Sequence, residues 1–242
     1  MASLIGQRDR EAIRGMFQSA QGQVRALVFT EQPSRLVVPG ERPCTYCRET
    51  VQLVQELAEV AGPQRVQVEV VDRRAQPQRL QEFGVDRVPA IVLTDPQEKL
   101  RGVRFFGIPA GFEFSTLVED MVDLASGRTR LSERTRRALA AIHTPVHLKV
   151  FVTPTCPYCP QAVRLAHQFA MENPMVTADM IEATEFPELA QQYRVRGVPK
   201  TVVNETEFIE GAVPEGYLVQ VVFSALGLEL PADGEAGTEP SS

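Results

Sequence analysis

VFVTPTCPYCPQAVRLAHQFA, Val150 to Ala170, holds an apolar run, a Cys-x-x-Cys pair at Cys156 and Cys159, and a stretch of helical composition. The apolar run reaches back to Val146 and predicts a strand over Val146 to Thr153, while Ala162 to Met171 predicts a helix. A second pair, Cys44 and Cys47 in PCTYC, stands 112 residues earlier, and no cysteine is left over.

Two pairs ask whether the chain is a tandem repeat. PCTYC is followed by FGVDRVPAIVL and FFGIPAGFEF; TCPYC is followed by YRVRGVPKTVV and IEGAVPEGYL. Cys44 to Pro89 is 45 residues and Cys156 to Pro199 is 43, and Gly107 and Gly111 answer to Gly211 and Gly216. Both halves then read alike. The first gives a helix over Asp9 to Gln18, a strand over Val24 to Thr30 and a one-faced helix through Val51, Val54, Leu57, Ala58 and Ala61 that stops at Gly62-Pro63. A strand over Val66 to Val71, a short helix over Gln78 to Phe83, a hairpin over Ala90 to Thr94 and Leu100 to Phe106, and a helix over Phe112 to Ala125 follow. In the second half a helix over Ser132 to Ile142 precedes the quoted stretch. Strands over Thr177 to Glu182, Thr201 to Val203 and Glu207 to Glu210, a helix near Glu188 to Tyr193 and a last helix over Tyr217 to Leu226 come after it. The units are expected to be 1–127 and 128–228, with 229–242 a polar tail.

Composition bounds the function. The chain has 242 residues, 43% hydrophobic and 23% charged, which suits a globular protein. A net charge of -6 without a block of like charges argues against nucleic acid or an anionic membrane as partner. No apolar run approaches the ~18 residues of a membrane span. Arg8, Asp9, Arg10, Glu11 and Arg14 interrupt the opening segment, so no secretory signal is read and a cytoplasmic setting is expected. In a reducing compartment a CxxC is redox-active or metal-binding.

A cysteine at a helix start lies against unpaired N–H groups and the positive end of the helix dipole, which favour its thiolate. Three residues on, about one turn, a second sulfur is within bonding reach. Cys44 and Cys156 are therefore the expected nucleophiles, and Cys47 and Cys159 the resolving residues. Pro157 is expected at the first helical position. Val88-Pro89 and Val198-Pro199 each open a strand at a fixed distance from a CxxC, and their backbone is the expected contact for an extended substrate segment. Glu182 and Glu69, late in corresponding strands, are candidate proton relays to the resolving thiols. His143, His147 and His167 read as ordinary helix or strand residues, Lys200 as a solvated lysine, and Phe105, Phe106, Phe112 and Phe114 as core.

CPYC and CTYC, followed by VPK and VPA, with GIPAGFEF and VTPTCPYCP, resemble the glutaredoxin-like protein disulfide oxidoreductases over Arg8 to Leu228. The resemblance implies an α/β chain of two tandem thioredoxin-like folds, each a central mixed sheet flanked by helices, with a cis-proline facing each CxxC. It further implies a cytosolic dithiol-disulfide oxidoreductase, acting as reductase, oxidase or isomerase on disulfide-containing proteins. Its cofactors would be none beyond the disulfides Cys44–Cys47 and Cys156–Cys159, its electron donor a thioredoxin reductase, and its more important site the second. A peroxiredoxin is a further expected partner.

The sequence departs from the repeat in one place. Thr30 to Cys44 is 14 residues whereas Thr153 to Cys156 is three, so Glu31 to Pro43 looks inserted, unless Leu36 to Val38 is the strand. Two other functions stay open: a zinc-holding CxxC module, which needs both pairs to converge, and a dedicated electron carrier feeding a peroxidase.

Overall fold

A computed structural model describes residues 3–32 and 43–230. The inserted-looking segment, the alternative strand at 36–38 and the tail beyond 230 lie outside the described residues. The first half comprises α1 (Gln7–Gln18), β1 (Val24–Thr30), α2 (Cys47–Ala61), β2 (Val66–Asp72), α3 (Pro77–Glu82), β3 (Ala90–Thr94), β4 (Val103–Phe106) and α4 (Glu113–Ser126). The second comprises α5 (Glu133–Ala140), β5 (Val146–Val152), α6 (Cys159–Glu172), β6 (Val176–Glu182), α7 (Pro187–Gln192), β7 (Lys200–Val203), β8 (Glu207–Glu210) and α8 (Glu215–Leu226).

Among the described residues eight strands join one sheet in the order β2-β1-β3-β4-β6-β5-β7-β8, so the second half repeats the first along it. The halves meet where β4 pairs in parallel with β6, from Val103 opposite Ala178 to Phe106 opposite Ile181. Only β3 and β7 run against the rest. The steps β1-α2-β2 and β5-α6-β6 go the same way along the sheet, and right-handed crossovers then put α2 and α6 on one face. Strand alternation agrees. Ala26, Val28, Leu148 and Val150 join Leu53 and Leu57 of α2, Leu117 of α4, Val163 and Phe169 of α6 and Val222 of α8 in one apolar layer. Leu27, Phe29, Phe151 and Ile181 point the other way, toward Leu80 and Leu189 on the short helices α3 and α7. Each fully buried Leu, Val or Phe contributes roughly 1.5–3 kcal/mol.

Local chemistry sets the helix ends. Gly62 closes α2 at φ 97°, and Gly127 ends α4 in the left-handed region, where its N–H donates to the Leu124 carbonyl. Ser132 caps α5 by accepting from the Thr135 N–H at 3.2 Å. Among the described residues no helix is long and apolar enough to cross a membrane.

Some expectations need correction. Gly216 lies inside α8 and is no counterpart of Gly111, which has φ 61° in the loop before α4. Phe112, expected in the core, is half exposed, and Lys200, expected in solvent, is buried.

Candidate redox sites

Both CxxC loops leave the same end of the sheet, because β1 and β5 run in the same direction. Strands β3, β4 and β6 lie between them, so four spacings of about 4.8 Å separate the two sites by about 19 Å. Cys156 and Cys159 are joined as a disulfide with Cα atoms 5.5 Å apart, and Cys44 and Cys47 with Cα atoms 5.6 Å apart. The helices begin at the second cysteine of each pair, with Tyr158 and Tyr46 as N-caps. Pro157 therefore precedes the helix, and Pro160 takes the early helical position, where a missing N–H costs nothing.

At the second site Cys156 is 8% exposed and Cys159 fully buried. Cys156 Sγ stands 3.7 Å from the Val198 carbonyl oxygen, and its N–H donates to the Thr153 carbonyl at 3.2 Å. At the first site Cys44 is half-buried and Cys47 buried, and the Glu31 N–H donates to Cys47 Sγ at 3.2 Å. Val88 packs in the same apolar cluster as Cys47. The Val88-Pro89 and Val198-Pro199 bonds are both cis.

The two candidate acids differ in place. The sheet register makes Asp72, not Glu69, the counterpart of Glu182: both end their strands, opposite Thr30 and Val152. Glu69 lies opposite Leu27, about 10 Å back along β2, and is ion-paired with Arg25 at 2.6 Å and Arg79 at 3.1 Å. The structure does not bring it to the first disulfide. Glu182 is buried at the active end, but its carboxylate already accepts from the Thr184 N–H, the Thr184 hydroxyl and the Glu185 N–H.

A different carboxyl is more poorly paired. Glu113, first residue of α4, is buried, and neither carboxyl oxygen makes a well-formed hydrogen bond, although the Thr116 hydroxyl is near enough to favour its charged form. Burial pushes its pKa up to about 7. α4 lies alongside α6 and parallel to it, because Asp120 meets Arg164 and His167 while, further on, Thr129 meets Glu172. Its start abuts the second CxxC loop: the Phe112 N–H donates to the Pro154 carbonyl at 3.1 Å. Gly111 allows that approach, since a Cβ there would stand 2.1 Å from the Pro154 oxygen. Glu113 thus lies at the end of α4 that abuts the second CxxC loop, a placement that no spacing in the sequence signals. Glu185 is likewise pushed up to about 7, by burial, and accepts from the Ile108 N–H at 2.6 Å.

His167 is buried between Asp120, at 2.6 Å, and the Arg104 carbonyl oxygen, at 3.1 Å. His147 contacts Asp179, which also holds Arg104 across the β4–β6 seam. Among the described residues no three His, Cys, Asp or Glu side chains gather into a metal-holding group.

Residues 146–224 match a family model described as thioredoxin domain. The alkyl hydroperoxide reductase AhpF of Staphylococcus aureus (strain NCTC 8325 / PS 47) is 27% identical over 161 residues, 66% of this chain, and the chain spans 30% of its length. An N-terminal domain of the Enterococcus faecalis (V583) AhpF has the same fold, with a TM-score of 0.80 at 23% identity over 90% of this chain and 99% of that one. A protein disulfide oxidoreductase from Aeropyrum pernix K1 superposes with a TM-score of 0.81. It is 30% identical, over 95% of this chain and 97% of that one. With that likeness sustained over almost the whole of both chains, this chain belongs to the tandem thioredoxin-fold protein disulfide oxidoreductases.

Proposed function

We propose that the protein is a dithiol-disulfide oxidoreductase in which Cys156 is the principal nucleophile. The observation that carries this is the second site itself: a CxxC disulfide whose first cysteine is 8% exposed, with its sulfur facing a backbone carbonyl, while its second cysteine is fully buried. In the reduced protein the Cys156 thiolate attacks one sulfur of a client disulfide, and the other client sulfur leaves as thiolate. Cys159 gives its proton to the Glu113 carboxylate and attacks Cys156 Sγ. The bound client sulfur leaves, the Cys156–Cys159 disulfide forms, and two electrons have passed to the client. The Val198 carbonyl offers an acceptor to an extended client backbone beside Cys156, with Val88 in the same role at the first site. Cys44 and Cys47 run the same exchange. Glu182 is a turn residue in this scheme, and Glu69 takes no part.

The units 1–127 and 128–228 belong to the same proposal, supported by the helix stop at Gly127 and the helix start at Ser132. So do a cytoplasmic setting, disulfide-containing proteins as clients, electrons carried by the cysteines alone and a thioredoxin reductase as donor. A second reading, a carrier that passes electrons to a peroxiredoxin, is supported by the likeness to the alkyl hydroperoxide reductase AhpF. Cys156→Ser and Cys44→Ser, assayed separately for dithiothreitol-driven insulin reduction, test the main reading. Cys156→Ser is expected to lose most of the activity and Cys44→Ser the smaller part. Full activity in Cys156→Ser overturns the assignment, and poor insulin reduction by the unaltered protein favours the carrier.

A further inference from the structure

Among the described residues five aromatic side chains are exposed: Tyr46, Phe112, Tyr158, Phe208 and Tyr217. Four of them lie at the end of the sheet that carries both disulfides. Tyr46 and Tyr158 sit within the two CxxC motifs, Phe112 is the N-cap of α4 beyond the end of β4, and Tyr217 is in the first turn of α8 beyond the end of β8. Phe208 alone lies elsewhere, on β8 with Lys200 Nζ 5.2 Å from its ring centre. Aromatic rings gathered on one surface mark binding sites, because each buries a large area at little cost in side-chain entropy.

Phe112 is the informative member. It is 50% exposed although Phe105 and Phe106, close by in sequence, are buried. Its backbone is pinned to Pro154, two residues before Cys156, so a residue of the first unit is held beside the nucleophile of the second. From β5 to β4 is two strand spacings, and from β5 to β1 four, about 10 and 19 Å. An extended chain advances about 3.3 Å per residue and covers these spans in about three and six residues.

We propose that Phe112 is a specificity-determining residue of the second site, receiving an apolar side chain about three residues from the client sulfur that Cys156 attacks. The client is an extended polypeptide, which then continues over the row of aromatics toward Tyr46 and the first disulfide. A thin, extended occupant suits a nucleophile that is only 8% exposed and lies against a backbone carbonyl. The inference rests on the oxidoreductase reading above.

The test uses the full chain carrying Cys44→Ser and Cys47→Ser, so that only the second site turns over. Its substrates are Ser/Gly peptides with one cysteine capped as a glutathione mixed disulfide and a leucine placed three residues away on either side, or no leucine. Attack by Cys156 on the peptide sulfur releases glutathione thiolate, and Cys159 then frees the peptide thiol as the protein disulfide forms. The chain is first reduced with dithiothreitol and freed of the excess, so that the Cys156–Cys159 dithiol supplies the two electrons, and release of glutathione is followed. A leucine on one side is expected to raise kcat/KM about tenfold, the worth of burying roughly one such side chain in part. Phe112→Ser is expected to abolish most of that advantage, Phe112→Leu to keep it, and Phe208→Ser to leave it untouched. An equal advantage in Phe112→Ser, or none in the parent chain, overturns the proposal while glutathione release itself still supports the oxidoreductase reading. A Phe112→Ser defect seen only with a folded disulfide protein also overturns it, in favour of a folded partner. No glutathione release with any peptide overturns both.

Discussion

Glu113 is the residue whose chemistry is most dependent on its surroundings. A carboxyl buried without a well-formed hydrogen bond prefers to be neutral, and its pKa of about 7 lies well above the ordinary 4.5. Between those values the folded chain holds a proton that the unfolded chain releases. The neutral carboxyl's advantage is therefore full below about pH 4.5, and it is lost as pH rises through 7. The shift corresponds to about 3 kcal/mol. Glu113→Gln, neutral at every pH, should match the parent chain in urea unfolding at about pH 4 and exceed it by up to about 3 kcal/mol at about pH 8. The catalytic sign is opposite, since only the carboxylate takes the Cys159 proton. Second-site turnover should rise through an apparent pKa near 7 in the parent chain and lose that inflection in Glu113→Gln. Identical pH profiles would remove Glu113 from the mechanism.

At the scale of elements, α4 and α6 form the helical seam between the two units. Asp120 of α4 accepts from Arg164 and contacts His167, both on α6, while Asp123 holds the other arm of Arg164. All four are buried. Asp120→Ala takes the carboxylate from a buried imidazole and one of two buried carboxylates from the Arg164 guanidinium, so it should cost about 3 kcal/mol, read as a lowered urea midpoint. A change within 1 kcal/mol, the range of an exposed pair, would mean that the seam is wet. This seam also marks where the sequence is legible. Strands Val24–Thr30 and Glu207–Glu210 fall where alternation and β-branched residues predict them, because those signals are local. The helix after the second CxxC starts three residues ahead of the expected Ala162, since Pro160 is tolerated in a first turn. Both cysteine pairs and both cis Val-Pro bonds stand where spacing and resemblance point. Glu113 and Phe112 are illegible for the opposite reason. One is buried and the other exposed by how α4 of the first unit meets the CxxC loop of the second, a contact some 40 residues away in the chain. Pairing Glu69 with Glu182 fails because register, which decides the counterpart of a strand residue, leaves no mark in composition.

For the whole molecule, the consequence of a single sheet is that the two redox centres keep their distance. β4 pairs with β6 through four residue pairs, Arg104 and Asp179 are bonded in two places across that seam, and α4 lies along α6. Thiol-disulfide exchange needs the two sulfurs in contact, and about 19 Å of sheet separates them. Electrons placed on one centre should therefore reach the other of the same chain only by way of a second molecule, whose Cys156 attacks the Cys44–Cys47 disulfide of the first, or the reverse. Such a transfer is second order in protein. Reducing the chain with one equivalent of dithiothreitol, then following redistribution between the pairs by rapid alkylation and peptide mass spectrometry, measures it. A tenfold dilution should lengthen the half-time about tenfold, as for any bimolecular exchange. A half-time that ignores dilution would mean that the units part far enough for Cys44 and Cys156 to meet. It would also require the Arg104–Asp179 bond to open, so Asp179→Asn should then speed the transfer rather than leave it unchanged.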